Sequence, residues 1–223
     1  MNTKPRTNKS AVFFKIISAI LLLPALTAFG WFGITRIRTT ETSHILPGEL
    51  KIKRGEESCL VTIPSGELSI TYPKRTMLGS SSPMDVEAVF SEPVLITEQT
   101  PGAAKWLAHL EVQTSIAGGS LTPSVAQTQP FFDRTDLKYH WDFTPETELM
   151  PYKAQLWLHV IVTDGIDTVE RWNLLVREFP TGIQSYFGQK ADVVLLAAGV
   201  CALIGTLCGI LGVQKSHRER KKQ

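Results

Sequence analysis

The chain of 223 residues is 43% hydrophobic and 20% charged, with a mean hydropathy of +0.02. That apolar content excludes wholesale disorder, and 16 glycines and 13 prolines are too few for a collagen-like or low-complexity chain. The net charge of +2 is unevenly placed, with two basic ends around an acidic middle, so a pI of 8.4 is no argument for nucleic-acid binding by the folded part.

Residues 1–15 carry Lys4, Arg6, Lys9 and Lys15 and no acidic residue. Residues 16–34 read IISAILLLPALTAFGWFGI, nineteen residues without a charge. That run is long enough to cross a hydrocarbon core of roughly 30 Å at about 1.5 Å per residue. Residues 11–14 extend it, Lys15 can snorkel to one interface, and Trp31 and Phe32 suit the other. Pro24 removes a backbone bond, which membrane helices tolerate. The pattern predicts a basic cytoplasmic segment over residues 1–11 and a transmembrane helix over 12–34. A cleaved signal peptide is the competing reading, with Ala28-Phe29-Gly30 as a small-x-small site, although the apolar run exceeds the usual roughly 7–15 residues. Both readings export the chain beyond this run.

Residues 35–191 alternate with a period of two. The clearest run is Leu137-Lys-Tyr139-His-Trp141-Asp-Phe143, ended by Thr144-Pro145. Residues 154–162 form a second run. Asp164-Gly165 is a hairpin signal, and residues 168–176 return with Trp172, Leu174 and Val176 on one face. Earlier candidate strands are residues 49–53, 59–63, 68–72, 86–90, 94–97 and 107–114, while 118–132 reads as a long loop or irregular edge. Eight or nine short strands with turn-rich joins predict an antiparallel, immunoglobulin-like β-sandwich between two transmembrane helices, with a barrel as the lesser option.

The strand Tyr139-His-Trp141-Asp-Phe143-Thr144-Pro145, followed by the alternating strand of residues 156–162 and a hairpin, carries a resemblance. This aromatic-x-aromatic-x-Thr-Pro pattern resembles an immunoglobulin-like β-sandwich module of bacterial membrane proteins, in which the last strand leads to a membrane helix. Here it begins at Leu121-Thr122-Pro123 and is loose. The resemblance implies a fold and brings no catalytic residues with it.

Chemistry-bearing motifs are scarce. Cys59 is the single cysteine of the exported part, so no disulfide framework forms there; its alternating context makes it a small core residue. His44, His109, His140 and His159 show no HxH or HExxH spacing. If the strands at 137–143 and 154–162 pair directly, His140 faces His159 beside Asp142, a conceivable metal set that is outweighed by ordinary surface polarity. No GxSxG, SxxK set, P-loop or GxGxxG occurs, so no catalytic, cofactor-binding or metal residues are assigned, and no cofactor is expected.

Residues 193–213, VVLLAAGVCALIGTLCGILGV, are twenty-one uncharged residues followed by a tail with five basic residues and one acidic. They predict a second transmembrane helix over 192–213 and a cytoplasmic tail over 214–223. Basic charge at both ends places both termini in the cytoplasm; Arg36 and Arg38 oppose this but are outnumbered. Ala198, Ala202, Gly205, Gly209 and Gly212 recur at spacings of four and three, a stripe without bulk that predicts a helix-packing interface. The first helix has a weaker set, Ser18, Ala19, Ala25, Ala28 and Gly30, so another membrane protein or a second copy is the expected partner, with no nucleic acid. Cys201 and Cys208, two turns apart, are taken as packing residues. The combination predicts a non-catalytic interaction or scaffolding module, an accessory subunit of a membrane complex; the alternative is an extracytoplasmic sensor or ligand-binding module.

Overall fold

In the computed structural model, which describes residues 9–98, 106–147, 152–164, 167–186 and 188–220, the two uncharged blocks are helices and the period-two stretches are strands. Helix α1 spans Lys9–Ile34 and α2 spans Ala191–Arg220. Between them run β1 (Arg38–Ile45), β2 (Gly48–Arg54), β3 (Glu57–Ile63), β4 (Gly66–Pro73), β5 (Arg75–Met77), β6 (Ser82–Phe90) and β7 (Leu95–Glu98). Then come β8 (Leu107–Ile116), β9 (Gly119–Thr122), β10 (Gln127–Pro130), β11 (Asp136–Pro145), β12 (Tyr152–Thr163) and β13 (Thr168–Gln184). The helices form one compact unit and residues 36–184 a second.

The β unit has three sheets, ordered β1-β4-β6-β11-β9, β10-β8-β12-β13-β5 and β2-β3-β7. Every pairing is antiparallel except β13 with β5. Antiparallel sheets bury one face, and β11 follows that rule: Leu137, Tyr139, Trp141 and Phe143 are buried while Lys138 and His140 are exposed. All three sheets contribute to one hydrophobic core. Ile70, Val86 and Trp141 come from the first, Leu110, Leu156 and Leu158 from the second, and Cys59, Val61 and Ile63 from the third. Each large side chain so buried is worth about 1.5–3 kcal/mol.

The core's polar atom and aromatic rings tie the sheets together. The buried Tyr139 hydroxyl donates to the Leu110 carbonyl at 2.7 Å, across from the first sheet to the second. Burial pushes that phenol above its usual pKa range. The Tyr72 and Phe179 rings meet at 4.7 Å between centroids, and Phe90 meets Phe131 at 4.4 Å. Cys59 is fully buried beside Val61, and desolvation raises its thiol pKa, so it fills space in the core and is held as the unreactive thiol.

Residues 118–132, expected as a long loop or irregular edge, hold two edge strands: β9, paired with β11, and β10, paired with β8. These strands are four residues each and polar, too short for alternation to reveal. The runs at 137–143 and 154–162 do not pair: β11 lies between β6 and β9, and β12 between β8 and β13. Finally, Val176 does not share a face with Trp172. A bulge between Leu158 and His159 sets Leu158 against Leu175 and His159 against Asn173, leaving Leu174 as the extra residue. Val176 is thereby turned outward, at 45% exposure. The Gly165 turn lies outside the described residues, but Asp167 donates its backbone N–H to the Asp164 carboxylate at 2.8 Å beside it.

Trp141 has 1% exposure, whereas Lys138, on the other face of the same strand, is open to solvent. Trp141→Ala is therefore expected to lower the unfolding free energy of the full chain by about 3–5 kcal/mol. Lys138→Ala should be indistinguishable from the parent in the same denaturant titration. Equal losses from both would break the assignment of faces.

Candidate functional site

Of the expected stripe, Ala198, Gly205 and Gly212 are buried, and Ala202 and Gly209 are half-buried. The three glycines face α1, and Ala198 shares a cavity lining with Ala25 and Ala28 of α1. A Cβ added at Gly205 would stand 3.0 Å from Leu22 Cγ and 3.3 Å from Leu21 Cβ. One at Gly209 would stand 3.0 Å from Ser18 Oγ, and one at Gly212 would stand 3.1 Å from Lys15 Cγ and 3.3 Å from the Ala11 carbonyl. These contacts run in opposite directions along the two helices, so the pair is antiparallel.

The α1 side of the seam is built of small residues too: its buried residues are Ala11, Ser18, Ala25 and Ala28. Spacings of seven, seven and three keep them on one stripe. Ala19 and Gly30, which the sequence grouped with them, lie outside it and are exposed. Sequence reasoning missed Ala11, because the set was sought inside the uncharged run and the helix begins earlier, at Lys9. Small side chains let the backbones come close, and in lipid that packing is what holds helices together. In this structure the stripe is filled from within the chain, so a second protein at the same seam would have to displace α1.

Near Pro24 the seam opens into a cavity of about 220 Å³, lined mainly by Ala25, Ala28, Val194, Ala198 and Cys201 with Tyr186 and Gln189. The Thr27 hydroxyl bonds the Pro24 carbonyl at 2.8 Å and lies 3.4 Å from the Tyr186 hydroxyl. At the other end Lys215 reaches Ser10 Oγ at 3.1 Å and lies 4.9 Å over the Phe14 ring. Both helices are long and apolar enough to cross a membrane.

On the β unit the polar groups sit on outer sheet faces. Asp85 on β6 accepts from Arg38 of β1 and bonds His140 Nδ1 of β11, each at 2.5 Å. Burial opposes ionisation of Asp85, but the His140 and Arg38 bonds and charges outweigh it and hold the carboxyl below its usual range. The other ring nitrogen of His140 lies 3.9 Å from Asp142, so both nitrogens face carboxylates and neither is aimed at a hydroxyl or thiol to activate. On the second sheet Glu111 pairs with Arg171 and lies 3.5 Å from His159 Nδ1. Burial and the nearby Arg171 lower the His159 pKa against the pull of Glu111, and burial alone lowers that of His109. His140 and His159 thus belong to different sheets, and the metal set imagined from direct strand pairing does not assemble. Among the described residues no group of three or more His, Cys, Asp or Glu side chains is placed to hold a metal ion.

No family model matches this sequence, and no curated protein matches it.

A Cβ at position 209 would stand 3.8 Å from Ser18 Cβ, inside the range of a disulfide. With Cys59, Cys201 and Cys208 replaced by alanine, the double variant Ser18→Cys/Gly209→Cys should oxidise to a disulfide within one chain, seen as a faster-migrating monomer on a non-reducing gel. Covalent dimers in its place would assign the seam to a second copy.

Proposed function

We propose that the protein is a non-catalytic two-pass membrane protein whose β unit is an extracytoplasmic interaction or scaffolding module, an accessory subunit of a membrane complex. Basic charge at both chain ends favours cytoplasmic termini, which puts the β unit across the membrane from them. We read that unit as an immunoglobulin-like sandwich. In support, β4, β6, β11 and β9 follow one another as strands A, B, E and D do in an immunoglobulin sheet, and β8, β12 and β13 as C, F and G do.

The observation that carries the interaction role is the edge of β1, which among the described residues pairs on one side only. It ends its sheet, bonded to β4 over eight residues. An edge strand of that length is a template for strand addition, and natural edges are usually blunted by lysine, proline or shortness. β2, also an edge, carries Lys51 and Lys53; β1, RTTETSHI, has neither lysine nor proline. Its conformation is held from the paired side. Arg38 grips Asp85, Thr40 and Thr71 hydroxyls lie 2.9 Å apart, and the Tyr72 hydroxyl donates to Glu41 at 2.5 Å. Burial and the Glu41 carboxylate raise the Tyr72 pKa, which keeps that donor protonated.

A photo-crosslinking residue at Thr39 or Ser43, tested in native membranes, should give one adduct of discrete mass, and the same residue at Lys53 should not. Equal adducts at all three positions, or none, would contradict the reading. A small molecule retained through purification without any adduct would favour the sensor alternative.

A further inference from the structure

We propose that the basic end of the helix pair binds the phosphate of an anionic phospholipid, with Lys15, Ser216 and His217 as its contacts. The proposal rests on the reading that the helices cross a membrane. A pocket of about 180 Å³ opens there, lined by Lys15, Val213, Ser216 and His217. Its floor exists because Gly212 lets α1 approach, with Lys15 Cγ 3.1 Å from where a Cβ would stand. Lys215 is drawn off to Ser10 and the Phe14 ring, which leaves Lys15 as the ammonium of the pocket. An ammonium, a hydroxyl and an imidazole line one space and each can donate a hydrogen bond, the set that an oxyanion requires.

Charge favours the same occupant. Lys9, Lys15, Lys215 and Arg218 lie at this end, while the acidic residues of segments 1–35 and 185–223 are Asp192, at the opposite end of α2, and Glu219 in the tail. Basic pockets between membrane helices are the usual seats of anionic headgroups. The surroundings separate a lipid from free phosphate. Val213 forms one wall, and Ile16 and Ile210, on the same turns of the two helices, are exposed apolar side chains. Acyl chains cover such a surface and inorganic phosphate does not.

The test uses the full chain in phosphatidylcholine nanodiscs with and without phosphatidylglycerol, and reads by native mass spectrometry which lipid the protein retains. The parent should retain phosphatidylglycerol in preference. Lys15→Gln/His217→Gln should cut that retention by about tenfold, as expected for loss of charge-assisted hydrogen bonds, and Ser216→Ala should cut it less. Lys190→Gln, at the opposite end of α2, should leave it unchanged. Undiminished retention in the double variant, or an equal loss in Lys190→Gln, would overturn the site. A rise in melting temperature with inorganic phosphate equal to that with the anionic lipid would assign the pocket to free phosphate and overturn the lipid. Carbonate extraction of the parent from membranes would overturn the spanning reading itself, and the variants remaining in the pellet would show that their loss is one of lipid binding.

Discussion

Two helices in a hydrocarbon solvent gain nothing from hiding apolar surface, since the lipid is as apolar as they are. What they gain is contact, and contact requires that their backbones come close. The seam of Gly205, Gly209 and Gly212 against Ala11, Ser18 and the Leu21–Leu22 step meets that requirement: a Cβ added at any of the three glycines would stand 3.0–3.1 Å from an α1 atom. The rest of the arrangement depends on it. An antiparallel pair brings the last residues of α1 and the first of α2 to one end, as the 3.4 Å approach of the Thr27 and Tyr186 hydroxyls shows. It brings both basic segments to the other end, where Lys215 of α2 reaches Ser10 of α1.

The β unit answers a different solvent. Its stability comes from burying large side chains of three sheets in one core, and its outer faces hold ion pairs that are exposed to water and contribute little each. Those pairs are better understood as fixing register. Arg38 to Asp85 joins β1 to β6 across β4, and His140 joins β11 to the same carboxylate. The strand after α1 is thus held to the centre of its sheet by side chains as well as by its ladder with β4. A firm edge with open backbone groups is what strand addition needs, because a fraying edge would have to be ordered before it could pair.

Much of this was legible in the sequence wherever one physical period dominated. Uncharged runs of nineteen and twenty-one residues, and the strict alternation from Leu137 to Phe143, each leave one sensible conformation. The 3.5-residue stripe in α2 was equally plain, and its three glycines lie against α1. Pairing was not legible, because alternation says which face is buried and nothing of the neighbouring strand. That is why His140 meets Asp85 and not His159. The bulge at Leu174 was invisible for a related reason: Trp172, Leu174 and Val176 keep a perfect alternation in sequence, and the extra residue shows only against the partner strand. On the α1 side Ala11 was hidden because it precedes the uncharged run, beyond Lys15.

The proposed topology puts both basic ends on the cytoplasmic side of a membrane and makes the β unit extracytoplasmic. Its most direct test is labelling of single cysteines by a membrane-impermeant maleimide in intact cells, with the native cysteines replaced. Thr128 on β10 and Gln214 on α2 are both exposed side chains. The account predicts that Thr128→Cys is labelled once any outer barrier is opened, and that Gln214→Cys is labelled only after the membrane is dissolved. Labelling of Gln214→Cys in sealed cells, or protection of both positions, would contradict it.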